Sequence, residues 1–209
     1  MRLLAAATRG IQAAIQRNEV IGVTTLLEGW SKVVRILYRQ LRRDGTWQLQ
    51  DRDLLDRGHG ITVLLFNQER KVILLLKQPR ITATMNADPT GEMIEACNGL
   101  IENESPLDCA FREVLQETGH RPLSMVSVAE VFASPGASLE VVHLFFAEFD
   151  DTTSVGVGGG LYSEGEDIEL LEVTLEQAMR WIDDRTIRDA RTILVLQFAY
   201  LRGLFEAGK

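Results

Sequence analysis

Two glutamates, Glu113 and Glu117, lie four residues apart in the segment FREVLQETGH, residues 111–120. On a helix of 3.6 residues per turn they share one face. Carboxylates stacked in this way repel each other by a few tenths of a kcal/mol unless a cation lies between them. Magnesium prefers carboxylate and carbonyl oxygens and often binds together with substrate phosphates. The pair, with a carbonyl from the preceding turn, is therefore a candidate divalent-cation site.

The helix that carries this pair has clear boundary signals. Ser105 is a typical N-cap, Pro106 suits the first helical position, and Gly119 suits a left-handed C-cap, which predicts a helix over 106–118. We expect the apolar residues of this helix to form its buried side, with the two carboxylates facing elsewhere; these residues are Leu107, Ala110, Phe111, Val114 and Leu115. Glu104 lies close enough to Arg112 to form a salt bridge that fixes the preceding loop.

Composition limits the classes of protein to which the chain can belong. Its 209 residues suit one domain, or one domain with an N-terminal appendage, and its net charge of −8 argues against a nucleic-acid partner. No apolar run approaches membrane-spanning length. Two cysteines, Cys97 and Cys109, are too few for a disulfide framework and indicate buried thiols in a reducing compartment. We therefore expect a cytoplasmic protein without a membrane partner.

The first twenty residues leave two interpretations open. They form an arginine-bearing, acid-poor stretch, which resembles an organellar presequence but also fits a short amphipathic helix. The helix is the simpler interpretation, and we expect it to precede an N-terminal hairpin.

The rest of the chain reads as strands and helices in alternation. The turn RRDGT (42–46) joins two strands of that hairpin, and two branched apolar runs form a second hairpin that is buried on both faces. The predicted strands are 31–43, 47–55, 60–67, 71–78, a short one near 92–97, 126–132, 141–149 and one before the helix that ends near 184; the last helix spans 187–205. This order predicts an α/β or α+β sandwich in which helices cover a mixed sheet, and α/β is the fold class that we expect.

The segment GLIENESPLDCAFREVLQETG (99–119) resembles the Nudix box. The pattern of this box is G-x5-E-x7-R-E-U-x-E-E-x-G-U, where U is an apolar residue. The positions that match in mutual register are Glu104, Arg112, Glu113, Val114, Glu117 and Gly119. Blocks outside the box, over roughly residues 20–200, resemble the ADP-ribose and sugar-nucleotide pyrophosphatase branch, and within it the bacterial GDP-mannose pyrophosphatases.

The chain departs from the family pattern in four places. Gly99 lies one residue too close to Glu104, Gln116 replaces a glutamate that often binds metal, and His120 occupies an apolar position. Pro79 stands where the family commonly has phenylalanine. Because an amide is no anionic ligand, Gln116 implies fewer metal ions or weaker metal binding.

The resemblance implies a Nudix α/β/α sandwich over residues 56–209, preceded by a helix and antiparallel hairpin region over 1–55 that helps to form a homodimer. It implies hydrolysis of a nucleoside diphosphate sugar with Mg²⁺, or with Mn²⁺ instead. GDP-mannose, giving GMP and mannose 1-phosphate, is the leading substrate and ADP-ribose is the second. A non-catalytic sensor of nucleotide sugars is the alternative from another class.

The resemblance also assigns roles to individual residues. Glu113 and Glu117 would bind the metal and serve catalysis, together with the Asn98 carbonyl. Glu166 would be a further metal ligand and Glu164 would activate water, although their glycine-rich loop (155–167) also fits a plain flexible connector.

Three further residues complete the predicted site. Glu140 is an alternative base, with a surface role equally open to it. Arg80 and Arg57 would bind substrate phosphates, a task that suits a bidentate guanidinium, with a surface salt bridge as the rival interpretation for each.

Overall fold

The computed structural model describes residues 16–206. These residues divide into two units with separate internal contacts. The smaller unit runs to Arg57 and includes Gly136–Ser138, and the larger one consists of Gly58–Pro135 and the residues from Leu139 onward.

The smaller unit is a three-stranded antiparallel sheet in the order β1-β2-β3, formed by β1 (Asn18–Glu28), β2 (Lys32–Leu41) and β3 (Trp47–Asp56). The predicted hairpin is confirmed, and its turn closes with a 2.8 Å bond from the Arg42 N–H to the Thr46 carbonyl. Strand β1 was not predicted. The predicted N-terminal helix falls mainly on residues 1–15, which lie outside the described residues.

The larger unit is built on a seven-stranded mixed sheet. Its strands are β4 (Gly60–Asn67), β5 (Val72–Pro79), β6 (Glu92–Glu95), β7 (Cys97–Leu100), β8 (Ser124–Phe132), β9 (Val141–Glu148) and β10 (Glu169–Val173). The main path is β10-β5-β4-β9-β8, with β6 beside β5 and β7 beside β4. Only the β4–β9 pair is parallel among these pairings. The single strand predicted near 92–97 is thus two strands that pair with different neighbours.

Four α-helices accompany this sheet among the described residues: α1 (Ile81–Met85), α2 (Pro106–Thr118), α3 (Leu175–Asp183) and α4 (Ala190–Leu201). Helix α2 has the predicted boundaries, whereas α1 was not predicted. Helix α4 is shorter than the predicted 187–205, because Asp189 caps its N-terminus by accepting the Thr192 N–H at 2.8 Å. None of the helices in residues 16–206 is long and apolar enough to cross a membrane.

Two apolar clusters cover the two faces of the larger sheet. One joins Ile61, Val63 and Leu76 of the sheet to Ala110 and Val114 of α2. The other joins sheet residues to α3 and α4, and includes Leu64, Ile73, Leu75, Ala178, Val195 and Leu196. Helices therefore cover both faces of a mixed sheet, which confirms the predicted α/β/α sandwich, and β4 and β5 are buried on both faces as expected.

Candidate active site

Helix α2 is held at both ends by the groups that the sequence predicted. The Ser105 hydroxyl accepts the Asp108 N–H at 3.2 Å, and Gly119 ends the helix in the left-handed region with φ of 71°. The Arg112 guanidinium donates to Glu104 at 2.6 Å, so the predicted salt bridge between loop and helix is confirmed. The ends of α2 are therefore fixed, and its side chains take defined positions on the sheet.

The buried side of α2 is not the side that the sequence analysis predicted. Glu113 is only 7% exposed and Glu117 only 1% exposed, whereas Leu107, Phe111 and Leu115 are 43%, 37% and 38% exposed. The prediction assigned the inner side by counting large apolar residues, and it was wrong for these three. The small residues Ala110 and Val114 face the core instead, and they let the two carboxylates approach the sheet.

The two carboxylates contact β7 closely. The Asn98 N–H donates to Glu117 Oε2 at 3.2 Å. A Cβ added to Gly99 would overlap the Glu113 side chain at Cγ and the carboxylate, so only glycine fits there. Glu113 Oε1 also accepts a 2.8 Å bond from Arg112 Nη1. Strand β7 thus provides the space and one donor that this pair requires.

The environment of the pair disfavours two negative charges. Burial raises the pKa of Glu117 to about 8, and repulsion from Glu113 and Glu166 adds to the effect of burial. Burial likewise raises the pKa of Glu113 to about 7, although Arg112 opposes the shift. Buried carboxylates with raised pKa values are the arrangement that a bound cation stabilises.

The donor set fits a magnesium ion that keeps part of its water. Across residues 16–206, no three His, Cys, Asp or Glu side chains converge on one metal position. Magnesium nevertheless often binds through one or two carboxylates plus water and substrate phosphate, so Glu113 and Glu117 suffice as protein carboxylates. Gln116 adds no charge, and its buried Nε2 has no hydrogen-bond partner among the described residues.

The glycine-rich loop is bonded to the C-terminal end of α2. The N–H groups of Gly159 and Gly160 donate to the carbonyls of Glu117 and Gln116 at 2.8 and 3.2 Å. Those of Val155 and Gly156 both donate to the Gly119 carbonyl. Because these amides satisfy carbonyls that every helix end leaves unpaired, the loop acts as a cap and not as a free connector.

This cap places two predicted residues near the pair. The carboxylate of Glu166 accepts the Leu161 N–H at 2.8 Å and raises the pKa of both Glu113 and Glu117 by repulsion. Glu164 ends a short 3₁₀ helix, Tyr162–Glu164, is exposed, and acts on Glu113 in the same way. The structure therefore brings Glu113, Glu117, Glu164 and Glu166 into one electrostatic group.

Arg80 faces this group from the end of β5. Burial lowers its pKa, but hydrogen bonds and attraction from Glu95 outweigh that effect, and Glu117 and Glu166 also attract the guanidinium. The predicted phosphate-binding arginine is thus one cation that acts on the carboxylates, and Arg112 is another.

Two predicted residues lie elsewhere. Glu140 Oε1 lies 3.8 Å from Arg191 Nη1 of α4, beside the point where a Cβ of Gly60 would be. Gly60 alternates with Ile61, which packs toward α2, so Glu140 faces the α4 side of the sheet. The role of Glu140 as an alternative base stays a prediction. Arg57 belongs to the smaller unit, where its guanidinium stacks 4.2 Å from the centre of the Trp30 ring.

The residues of this site lie within a stretch of the chain that matches a known family. The NUDIX domain model matches residues 56–194, which are most of the chain. The chain belongs to the NUDIX family. Glu113 and Glu117 lie on the segment that resembles the Nudix box, and the protein is accordingly a NUDIX hydrolase.

Curated relatives of this NUDIX hydrolase cover nearly its whole length. It is 39% identical over 188 residues to a GDP-mannose pyrophosphatase of Cronobacter sakazakii, which covers 90% of this chain and 97% of the relative. A GDP-mannose pyrophosphatase of Escherichia coli is 35% identical over 181 residues, with 87% and 94% covered.

A solved structure shows the same fold. The crystal structure of an ADP compounds hydrolase matches with a TM-score of 0.68 over 90% of this chain and 96% of the other, at 15% sequence identity. At this identity the match supports the fold alone.

A separate groove of about 450 Å³ lies between the residues around β6 and the segment that joins α3 to α4. Four of its five charged side chains pair with one another: Lys77 contacts Glu92 at 2.9 Å, and Arg188 contacts Asp88. Lys77 alternates with Leu76, which packs toward α2, so this groove opens on the other face of the NUDIX sheet.

Sequence reasoning missed Glu95, which lies at the end of β6 and is 3% exposed. A signal was present, because MIEAC places one charged residue within a short apolar strand. The partner of that charge, Arg80, lies 15 residues earlier and is paired with it only through the β5–β6 hydrogen bonds.

Proposed function

We propose that this NUDIX hydrolase cleaves the diphosphate of a nucleoside diphosphate sugar, with GDP-mannose as the first candidate and GMP and mannose 1-phosphate as products. Mg²⁺ is the proposed cofactor, and Mn²⁺ is the proposed substitute. One observation carries the proposal: Glu113 and Glu117 are buried side by side on the inner face of α2, where their raised pKa values favour a compensating cation.

The chain's own residues divide the work as follows. Glu113 and Glu117 would hold the cation, with the Asn98 carbonyl as a further ligand. Glu166 would join them only after its side chain moves, because no three carboxylates converge on one position in residues 16–206. When bound, magnesium would supply positive charge that neutralises the phosphates and makes water a better nucleophile. Arg80 would bind a phosphate oxygen, since a guanidinium matches phosphate geometry.

The reaction itself adds one water across the diphosphate. The water oxygen bonds to one phosphorus, the bond from that phosphorus to the bridging oxygen breaks, and the bridging oxygen leaves with the other phosphate. Glu164 is exposed to solvent and lies on the glycine-rich loop that caps α2, so it is the proposed acceptor of the proton that the water loses.

The choice of substrate rests on the named relatives. Both are GDP-mannose pyrophosphatases and are at least 35% identical to this chain over most of its length. The site geometry supports a diphosphate but contains no contact that selects guanine or mannose. ADP-ribose, the second candidate from the sequence, therefore enters the same experiment.

Product analysis tests the proposal. Purified protein with Mg²⁺ is incubated separately with GDP-mannose, ADP-ribose, UDP-glucose and a nucleoside triphosphate, each beside Glu117→Gln. We expect GDP-mannose to yield GMP and mannose 1-phosphate with the wild type only. If only ADP-ribose is turned over, ADP-ribose replaces GDP-mannose as the proposed substrate. Binding of a nucleotide sugar without turnover of any compound would favour the sensor and overturn the enzymatic proposal.

We also propose that the smaller unit forms a homodimer. Its sheet carries exposed apolar side chains, which a soluble monomer seldom gathers in one region; they are Val20, Ile21, Val23, Leu26, Leu27, Trp30 and Leu49. Light scattering after gel filtration should give twice the chain mass, and Leu27→Glu should give the single-chain mass. A wild type that is monomeric at micromolar concentration would contradict the proposal.

A further inference from the structure

Glu95 is a buried carboxylate that the proposed chemistry does not use directly. It ends β6, and its side chain is 4% exposed. Its partner in the β5–β6 register is Leu76, which packs in the cluster under α2, so Glu95 points to the same side of the sheet as Glu113 and Glu117. A charge at such a position needs strong partners, and the structure supplies two.

The first partner is the Arg80 guanidinium, which Glu95 binds along one edge. Arg80 Nη2 donates to Glu95 Oε2 at 2.7 Å, and Nε donates to the same oxygen at 3.1 Å. The second partner, Gln78, donates from Nε2 to Glu95 Oε2 at 3.2 Å. Because Gln78 is itself buried, the carboxylate is held between a fixed amide and the arginine.

The other edge of the guanidinium has no hydrogen-bond partner in the part of the chain that the structure describes. Among residues 16–206, no hydrogen bond involves Arg80 Nη1. The side chain is 36% exposed, so a ligand can reach this edge. Attraction by Glu117 and Glu166 also acts on the guanidinium, so its charge lies within electrostatic range of the proposed cation site.

We infer that Glu95 is a positioning residue that orients Arg80, so that the free edge of the guanidinium meets a phosphate of the substrate. The inference rests on the proposed function, because it assumes a diphosphate ligand beside the α2 carboxylates. An arginine side chain has many rotamers, and ordering it before the ligand arrives reduces the cost of binding. Glu95 thereby acts on affinity for the diphosphate and not on the bond-breaking step.

A double-mutant cycle tests this coupling. Glu95→Gln, Arg80→Gln and the double variant are compared for kcat and KM on the substrate that the product analysis identifies. We expect Glu95→Gln to raise KM about 10-fold with kcat within about 3-fold, and Arg80→Gln to raise KM further. The double variant should match Arg80→Gln alone, because Glu95 has no guanidinium left to orient once Arg80 is replaced.

A matched control separates positioning from a general structural role. Arg70 and Glu172 form a similar paired contact, at 2.7 Å from Nη2 to Oε1, outside the carboxylate group. Glu172→Gln should leave KM unchanged. If Glu95→Gln lowers the melting temperature but leaves KM unchanged, or if its effect multiplies with that of Arg80→Gln, Glu95 is only structural and the inference is overturned.

Two further measurements keep the inference testable on its own. Calorimetric binding of inorganic pyrophosphate with Mg²⁺ repeats the cycle without turnover, so a wrong substrate would not affect it. Loss of the coupling in that titration, or no pyrophosphate binding by the wild type, would overturn the inference. If Glu95→Gln does not fold, Arg80→Lys replaces it: the charge remains but the planar edge is lost, and we expect a comparable loss of pyrophosphate affinity.

Discussion

The two faces of the seven-stranded sheet bury different kinds of side chain. The face under α3 and α4 is closed by aliphatic residues such as Leu64, Leu75 and Leu196. The face under α2 has an aliphatic cluster as well, but all three buried carboxylates of the described residues lie on it: Glu95, Glu113 and Glu117. Buried carboxylates cost stability unless they are compensated, so the difference indicates that one face serves cohesion and the other serves binding.

The largest effect that this comparison predicts is the loss of turnover in Glu117→Gln. The substitution keeps the size of the side chain but removes one anionic ligand, and we expect kcat/KM with Mg²⁺ to fall on the order of 10³-fold. Steady-state kinetics measure it. Glu176→Gln, an exposed glutamate on α3, is the control and should stay within about 2-fold of wild type. Equal losses in both variants would contradict the assignment.

The opposite face should show the reverse pattern. Leu196 is fully buried in the cluster under α4, and Leu196→Ala should lower the free energy of unfolding by about 2–5 kcal/mol through lost contacts and a cavity. Urea unfolding measures it. At a temperature where the variant is folded, kcat/KM should remain within about 2-fold of wild type, and a large kinetic loss would show that the two faces are not separate in function.

A smaller effect is expected at the glycine that faces the carboxylates. In Gly99→Ala the added methyl group overlaps Glu113, so that side chain must move. We expect Mn²⁺ affinity, measured by calorimetry, to fall about 10–100-fold, the range typical of disturbed support around a metal ligand. Gly22→Ala is the control, since a Cβ at Gly22 meets nothing within 4 Å. Unchanged affinity in Gly99→Ala would show that Glu113 is not a ligand.

The smallest predicted effect concerns pH. The pKa values of Glu113 and Glu117 are raised to about 7 and about 8, so between about pH 4.5 and 8 the metal-free folded state holds more protons than the unfolded chain. Its stability therefore falls as pH rises through this window. Magnesium needs the ionised carboxylates, so its effect on the melting temperature should be larger at pH 8.5 than at pH 5.5. An equal shift at both values would contradict the account.

The sequence predicts the elements of the site better than their orientation. The capping residues of α2, the hairpins and the Glu104–Arg112 bridge follow from local spacing, and each is confirmed. The orientation of α2 about its own axis does not follow from local spacing, because the count of large apolar residues favoured Leu107 and Phe111 as its buried side. What turns the helix is the room beside Gly99 and the Asn98 N–H, and both come from a strand in another layer.

Residues that act through long-range contacts were the hardest to predict. The glycine-rich loop looks like a connector until its N–H groups are seen on the carbonyls of α2. The role of Glu95 can be recognised only when β6 pairs with β5 and brings its carboxylate to Arg80. In both cases the local sequence permits many conformations, and tertiary pairing selects one.

The central claim is that the buried carboxylates of α2 bind a divalent cation and are not there for stability. Calorimetric titration of Mn²⁺ into wild type and into Glu113→Gln/Glu117→Gln, at pH 8 and without substrate, tests it most directly. The account predicts at least about a 100-fold loss of Mn²⁺ affinity in the variant, which should melt no lower than wild type in metal-free buffer, because two buried charges are gone. Equal Mn²⁺ binding by both proteins, or a variant that melts far below wild type without metal, would contradict it.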